Sequence, residues 1–401
     1  MHVIVIGAGV IGISTAYELL KRGCKVTIVD RRSKPALETS YGNAGFIAPG
    51  HSYSWISPFT LDILKNSKKT NFKIRLQRDI HFWRWSMQFL NQCRKKNIFE
   101  NSVRKYKFGK YSQKCLNKIK NDIKFNFHEN NRGLIYFYRS RESLNKNKKT
   151  LWRINNSIEN LELLNKEEIC TLEPALNKIK QNIYGGIYCK SDMSGSCMHY
   201  TLKLEKVCRK MGAHFYYNTN IVDFIKNKNK INSVCTTNKN MHADLFVIAC
   251  ASSSYFLAKK NHEYLPIYPI KGFSITVPII NKNLAPLYCG IDEDNLLAFS
   301  VMGNKMRFTS GAEISNYDLK FYKKNFIKLI NNAKSLFPNA CDFSKIEYWT
   351  GLRPMTPDGM PIIKKSKLNN LYYNTGHGNL GWTMSAGSAV KLSSLIFNTD
   401  C

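Results

Sequence analysis

The chain opens on alternating signatures of strand and helix. Residues His2 to Ile6 run through short β-branched side chains, the pattern of a buried strand. Ile13 to Arg22 repeats apolar positions at helical spacing, and Lys25 to Val29 returns to the strand pattern. Residues 60–165 are rich in Lys, Asn and aromatics and read as mostly helical, with turns such as Asn130-Asn131-Arg132-Gly133. Residues 182–189 read as a strand with a glycine break. A helix closes over 207–212, and the alternation after it predicts one strand reaching Val222. Residues 243–254 pattern as a buried strand running into a small-residue turn. Residues 264–345 carry short alternating runs, FSITVPI, LLAFSVMG and KMRFTSGAE, which predict an antiparallel sheet. A last helix ends at Phe397. No internal repeat is evident.

The glycines between the first strand and helix add chemistry. Gly7-Ala8-Gly9-Val10-Ile11-Gly12 stands there, and Asp30 follows the second strand, eighteen residues past Gly12. This is the dinucleotide fingerprint in its required setting. Gly7 permits the tight turn, Gly9 lets backbone approach a pyrophosphate, and Gly12 lets the helix pack close to the strand. The helix N-terminus offers N–H groups to phosphate. Asp30 would accept from ribose hydroxyls. Glu38 to Gly45 (ETSYGNAG) then supplies a second small-residue loop, which a nicotinamide cofactor does not need and a flavin dinucleotide does. The cofactor expected is therefore FAD.

Late in the chain, WTGLRPMTPDG (349–359) places Arg353 between a probable strand and a proline turn. A guanidinium fixed there can grip a carboxylate with two parallel hydrogen bonds, or it can pair structurally with Asp358. NTGHGNLGWTM (374–384) is a glycine-rich loop entering a helix. Its N–H groups suit the carbonyl oxygen of a flavin ring, which gains negative charge on reduction. His377 within it reads as a hydrogen-bonding histidine before a catalytic base.

These segments predict an α/β fold, α+β overall: a Rossmann-like FAD-binding domain with an inserted antiparallel-sheet substrate domain. The expected boundaries are 1–60, 165–262 and 345–401 for the first, and 61–164 with 263–344 for the second. Expected cofactor contacts are Val3, Ile4, Val5 and Ile6 of the first strand and Gly7, Ala8, Gly9, Val10, Ile11 and Gly12 of the turn. Asp30, Arg31, Ser40, Asn43, Ala44, Gly45 and Val222 follow, then Gly378, Asn379, Leu380, Gly381 and Thr383 of the late loop. The expected catalytic residue is Arg353.

Charge changes the picture less than its size suggests. Lys+Arg number 60 against 28 Asp+Glu, a formal net charge of +32. Such a surface invites nucleic acid, an anionic membrane or acidic substrates. Lys and Asn are overused throughout, however, which also fits a coding bias that leaves solvated charge. One segment concentrates the signal: Leu76, Ile80, Trp83, Met87 and Leu90 fall at helical spacing within 72–96, flanked by Lys73, Arg75, Arg78, Arg84, Arg94, Lys95 and Lys96. It reads either as a basic amphipathic helix on a membrane or as a helix packed on its own core.

Other classes fall away. No apolar run reaches the roughly 18 residues of a spanning helix. The apolar N-terminus lacks a basic n-region and carries Glu18, unlike a signal peptide. The 12 cysteines lack CxxC or Cys/His metal spacing, which points to reduced thiols in a cytoplasmic setting and to no metal site. Hydrophobic residues make up 43%, too many for a disordered basic tail.

Five segments together, VIVIGAGVIGISTAYELL, ETSYGNAGFIAPG, IYPIKGFSI, YWTGLRPMTPDGMPI and NTGHGNLGWTMSAGS, resemble the bacterial D-amino acid dehydrogenase small subunits. These belong with the D-amino acid oxidase and glycine oxidase flavoproteins. The resemblance runs in order over nearly the whole chain. It implies FAD-dependent oxidative deamination of D-amino acids, D-alanine foremost, to 2-oxo acids and ammonia. It implies that Arg353 binds the substrate carboxylate. It further implies that the α-hydrogen leaves as hydride to the flavin, so that no general base is needed. It also implies a quinone-type or respiratory-chain acceptor and peripheral association with the inner face of the inner membrane. Alternatives are a glycine or sarcosine-type amine oxidase, and a basic RNA-associated flavoprotein. The latter relatives carry a methyltransferase domain for which this length leaves no room, so no nucleic acid is expected. Three features depart from the resemblance: Cys250-Ala251-Ser252 replaces a glycine-bearing turn, Gly195-Ser196-Cys197 lacks an expected acid, and the chain stops soon after its last helix.

Overall fold

The computed structural model describes residues 1–52, 72–75, 77–154, 161–314 and 316–399. The opening pattern forms as its side chains dictate. His2–Ile6 pairs in parallel with Lys25–Val29 on one side and Leu245–Ile248 on the other. Leu371–Thr375 adds beyond Leu245–Ile248 and His214–Tyr216 beyond Lys25–Val29, both parallel. The antiparallel strand Ile362–Lys365 completes a sheet of six. Its central strands are buried on both faces, which is why they read as continuous apolar runs.

Helices Val10–Lys21, Cys197–Lys210 and Gly381–Phe397 cover one face, in a core that includes Ile13, Leu204 and Leu392. A meander of Ile221–Asn227, Lys230–Thr236 and Asn240–His242 covers the other, through Phe224 and Val234.

The second body is a nine-stranded mixed sheet. Its order is Glu347–Met355, Tyr268–Pro278, Lys305–Ile314, Leu297–Met302, Cys289–Asp292, Leu134–Tyr138, Gly185–Cys189 and Leu161–Asn165, with Phe72–Ile74 also paired to Lys305–Ile314. One face packs on helix Ile327–Leu336 through Phe299, Phe308, Leu329 and Phe337. The other face looks toward the first body.

Several elements differ from the sequence expectation. The segment 72–96 is not one helix: Phe72–Ile74 is a strand, the helix is Ile80–Gln92, and a new helix begins at Lys95. Leu76 lies outside the described residues. The strand expected to reach Val222 is two strands, because Asn218 takes a left-handed turn (φ 50°) between them. The expected boundary at 345 puts Glu347–Met355 with the cofactor body, yet all nine of its residues pair with Tyr268–Thr276 in the large sheet. Gly185–Cys189 likewise joins the large sheet. Conversely, helix Lys95–Ile123 gives Cys115, Leu116 and Ile119 to the core of the first body. Open strand edges and apolar stripes decide these memberships, and composition does not report them.

Candidate active site

A cavity of about 580 Å³ lies between the two bodies, a size typical of small-molecule sites. Four parallel strands deliver their carboxyl ends to it: Ile6, Val29, Ala249 and Thr375 all stand on its wall. Ligands of open α/β sheets bind at such ends.

The first turn fits only glycine at two points. Gly7 has φ +111°, and a Cβ on it would meet the Ala249 carbonyl oxygen at 2.6 Å. A Cβ on Gly12 would stand 1.8 Å from the Gly7 carbonyl oxygen. The turn thereby passes directly into helix Val10–Lys21, whose N-cap Gly9 offers no side-chain cap. Ser40 Oγ accepts from Val10 N at 3.0 Å. Asp30 accepts from the N–H groups of Ala8 at 2.6 Å and Arg32 at 2.7 Å. Burial pushes the Asp30 carboxyl above its ordinary range, and these two N–H groups pull it back.

The second loop is held from the large sheet. Arg307 donates through Nη1 to the carbonyls of Tyr41 (2.6 Å) and Asn43 (3.4 Å), and through Nε to Thr276 Oγ1 at 3.0 Å. The Trp349 indole is wedged between Gly42 and Gly351, where a Cβ on either would lie 2.1 Å from the ring.

The late loop turns through Gly376 (φ +75°) and Gly378 (φ +57°) into helix Gly381–Phe397, which also lacks a side-chain cap. Two uncapped helix N-termini thus meet one cavity. Thr383 Oγ1 accepts from Ala48 N at 3.1 Å, tying this helix to the chain beyond the second loop. His377 is buried, and burial pushes its imidazole down to about 3. It is therefore neutral near pH 7, and its Nε2 has no hydrogen-bond partner among the described residues.

Arg353 pairs with Ile270 across strands, and its guanidinium reaches back over Gly272, where a Cβ would lie 2.7 Å from Cζ. Its Nη1 donates to the Gly311 carbonyl at 2.9 Å. Burial lowers it to about 10, so it stays a cation at neutral pH. A guanidinium has five N–H donors, enough to hold that bond and a carboxylate together. Asp358, the structural partner considered for it, pairs instead with Arg104 at 3.6 Å.

The structure brings most expected site residues to one wall: Ile6, Gly7, Gly9, Val10, Ile11, Asp30, Arg31, Ser40, Asn43, Ala44, Gly45, Arg353, Gly378, Asn379, Leu380, Gly381 and Thr383. Val3, Ile4, Val5, Ala8 and Gly12 are not on it; they build the strand and turn beneath. Val222 is also off the wall. The strand starts at Ile221, which faces the cavity, so alternation sends Val222 outward to 48% exposure.

Sequence reasoning missed Trp349, Arg307 and a pair formed by His51 and Glu293, whose Nε2 and Oε1 lie 2.8 Å apart. Only Trp349 left a signal: Trp349, Gly351 and Arg353 alternate along a strand and share a face. Of the departures, Cys250 turns its thiol onto the Ile6 carbonyl at 3.0 Å, and Ala251 adopts the left-handed backbone (φ 50°) that glycine favours. Ser196 caps helix Cys197–Lys210 where an acid was expected.

The residues present fit FAD. Gly7 and Gly12 permit a turn too tight for a Cβ, which brings one helix N-terminus to the cavity with Asp30 beside it, as a pyrophosphate and ribose need, and a second helix N-terminus on the same cavity suits a flavin carbonyl.

Comparison with known proteins agrees. The sequence model of the family "FAD dependent oxidoreductase" matches residues 2–395. D-amino acid dehydrogenase 2 of Mesorhizobium japonicum is 34% identical over 99% of this chain and 96% of that protein. D-amino acid dehydrogenase of Bradyrhizobium diazoefficiens is 36% identical over 99% and 95%. Glycine oxidase from Bacillus cereus shares the fold at TM-score 0.76 and 19% identity, over 99% of this chain and 95% of that one. L-proline dehydrogenase from P. horikoshii does so at 0.73 and 17%, over 99% and 93%. With a family match over almost its entire length, and a tight glycine turn that sets a helix N-terminus on the cavity, the chain belongs to the FAD-dependent oxidoreductases.

Proposed function

We propose that this protein catalyses FAD-dependent oxidative deamination of D-amino acids, D-alanine among them, to 2-oxo acids and ammonia. The observation that carries the reading is the Arg353 guanidinium, set over Gly272 on the same cavity as both uncapped helix N-termini. Arg353 would hold the substrate carboxylate and so fix which face of Cα is presented to the cofactor. Bound FAD would accept the α-hydrogen with its electron pair. His377 is a neutral imidazole at neutral pH, so it serves as a dipole and not as an imidazolium acid. Walls from both bodies would hold the substrate against the cofactor, and the imino acid would be hydrolysed by water after it is released. The test is the absorbance spectrum of flavin-loaded protein, without oxygen, before and after D-alanine. Bleaching with formation of pyruvate supports the reading, and an unchanged spectrum with every D-amino acid tried removes it.

The acceptor we infer is a membrane quinone, and the surface that would reach it is helix Ile80–Gln92. Its Phe82 and Trp85 are buried, whereas Ile80 (83%), Met87 (65%), Leu90 and Trp83 face outward. Arg84, Arg94, Lys95 and Lys96 lie on or beside it. No helix among the described residues is long and apolar enough to cross a membrane. An apolar stripe beside basic side chains fits binding in the plane of an anionic bilayer surface.

A further inference from the structure

Two opposed glycines let two large side chains meet on the cavity face of the large sheet. Gly351 of strand Glu347–Met355 pairs directly with Gly272 of Tyr268–Pro278. Opposed residues of an antiparallel pair point to one face, with Cβ positions about 5 Å apart. Other side chains take up both positions here. The one over Gly272 lies 2.7 Å from Arg353 Cζ, and the one over Gly351 lies 2.1 Å from Trp349 Cη2. Trp349 leans forward along its strand by two residues and Arg353 leans back by two, so indole and guanidinium are neighbours at that row.

The opposite side of the indole belongs to the cofactor body. A Cβ on Gly42 would lie 2.1 Å from Cδ2 of the same ring. Loop 38–45 is tied to this strand at two further points. Thr39 Oγ1 donates to the Leu352 carbonyl at 2.9 Å, and the Tyr41 hydroxyl donates to the Glu347 carboxylate. The loop also reaches the first helix, where Ser40 Oγ accepts from Val10 N. One loop thus touches the helix N-terminus suited to a pyrophosphate and, through the indole, the guanidinium suited to a carboxylate.

The ring leaves no slack between loop and strand, and a close-packed interior passes a displacement on instead of absorbing it. An arginine side chain loses much rotamer freedom when it is fixed. The indole beside it and the bond to the Gly311 carbonyl narrow that freedom before a substrate arrives.

We propose that Trp349 is a positioning residue that sets the Arg353 guanidinium from the seating of loop 38–45, so that carboxylate binding depends on the cofactor loop through the indole. This rests on the D-amino acid reading above. The experiment titrates the flavin absorbance of FAD-loaded wild type, Trp349→Phe and Trp349→Leu with propionate, which has the carboxylate and stem of D-alanine and no amine. Trp349→Leu should bind propionate at least tenfold more weakly with its flavin retained, Trp349→Phe should fall between, and the KM for D-alanine should rise in step. Gly42→Ala tests the route, because its methyl meets the indole and not Arg353. It should weaken propionate at least fivefold in the wild-type background and not further in Trp349→Leu, where the ring is gone. Should Trp349→Leu hold no flavin, Trp349→Phe takes its place, with at least threefold weakening expected. Propionate affinity and KM equal to wild type in the Trp349 variant, or the same Gly42→Ala loss in both backgrounds, overturn the proposal. Failure of wild type to bleach with any D-amino acid overturns instead the reading on which it rests.

Discussion

Arg307 Nη1 donates to the Tyr41 carbonyl at 2.6 Å, so a cation of the large sheet fixes the backbone of a loop that belongs to the other body. The guanidinium is buried, and burial lowers its pKa. It also holds Asn43 and Thr276, so its loss leaves several acceptors unpaired. Each orphaned acceptor costs about 1–3 kcal/mol. Arg307→Met should weaken FAD binding at least tenfold in a fluorescence titration, with partial recovery in Arg307→Lys. Equal affinity in all three would show that the loop holds its shape unaided.

Gly12→Ala should give little folded flavoprotein, because the new Cβ would stand 1.8 Å from the Gly7 carbonyl oxygen. Gly23→Ala is the control. That glycine has φ +77° with nothing near its Cβ position, so alanine there pays only the left-handed backbone cost, about 1–2 kcal/mol. Comparable yields of yellow protein from both variants would refute the close-approach argument.

Arg353→Lys should raise the KM for D-alanine by about a hundredfold while FAD stays bound, since an ammonium cannot make the forked pair. The wild type carries a pH signature as well. Burial lowers the guanidinium to about 10, so substrate binding should weaken as pH rises through that value. A KM flat from pH 8 to 11 would take Arg353 out of carboxylate binding.

His377 links stability to acid. Its folded pKa, about 3, lies below the ordinary 6.5, so the unfolded chain binds the extra proton. Its contribution is complete above pH 6.5 and is lost as pH falls toward 3. The melting temperature of His377→Gln should therefore fall less than that of wild type between pH 7 and pH 4.5. Parallel curves would mean that the imidazole accepts a proton without strain.

Trp83→Asn with Met87→Gln should release the protein from anionic vesicles in a flotation assay and leave its melting temperature within about 2 °C. Both side chains face outward, whereas Phe82 and Trp85 carry the packing of that helix. Unfolding of the double variant would place the stripe in a core.

Much of the cofactor half was legible because close approach leaves a chemical mark. Gly7, Gly12 and Gly378 stand where backbone geometry admits little else, and sequence shows such positions directly. Arg353 was legible by its place before a proline turn. Arg307 was not: one arginine inside KMRFTSGAE looks like a solvated strand position, and only the fold brings Tyr41 beneath it. His51 and Glu293 are 242 residues apart, and no local pattern joins them. Val222 shows the limit of alternation. The left-handed Asn218 splits the expected strand in two, and in the second, which begins at Ile221, Val222 faces outward.

The two helix ends that meet at the cavity come from opposite extremes of the sequence, Val10–Lys21 and Gly381–Phe397. Synthesis is vectorial, so the phosphate turn emerges from the ribosome long before the loop that completes the pocket. A nascent or truncated chain lacking Leu371–Thr375 and the last helix presents an open sheet edge beside Leu245–Ile248 and an uncovered apolar face on Val10–Lys21. The cavity is therefore whole only when Ile6 and Val10 of the opening residues and Thr375 and Gly381 of the closing ones stand on it together.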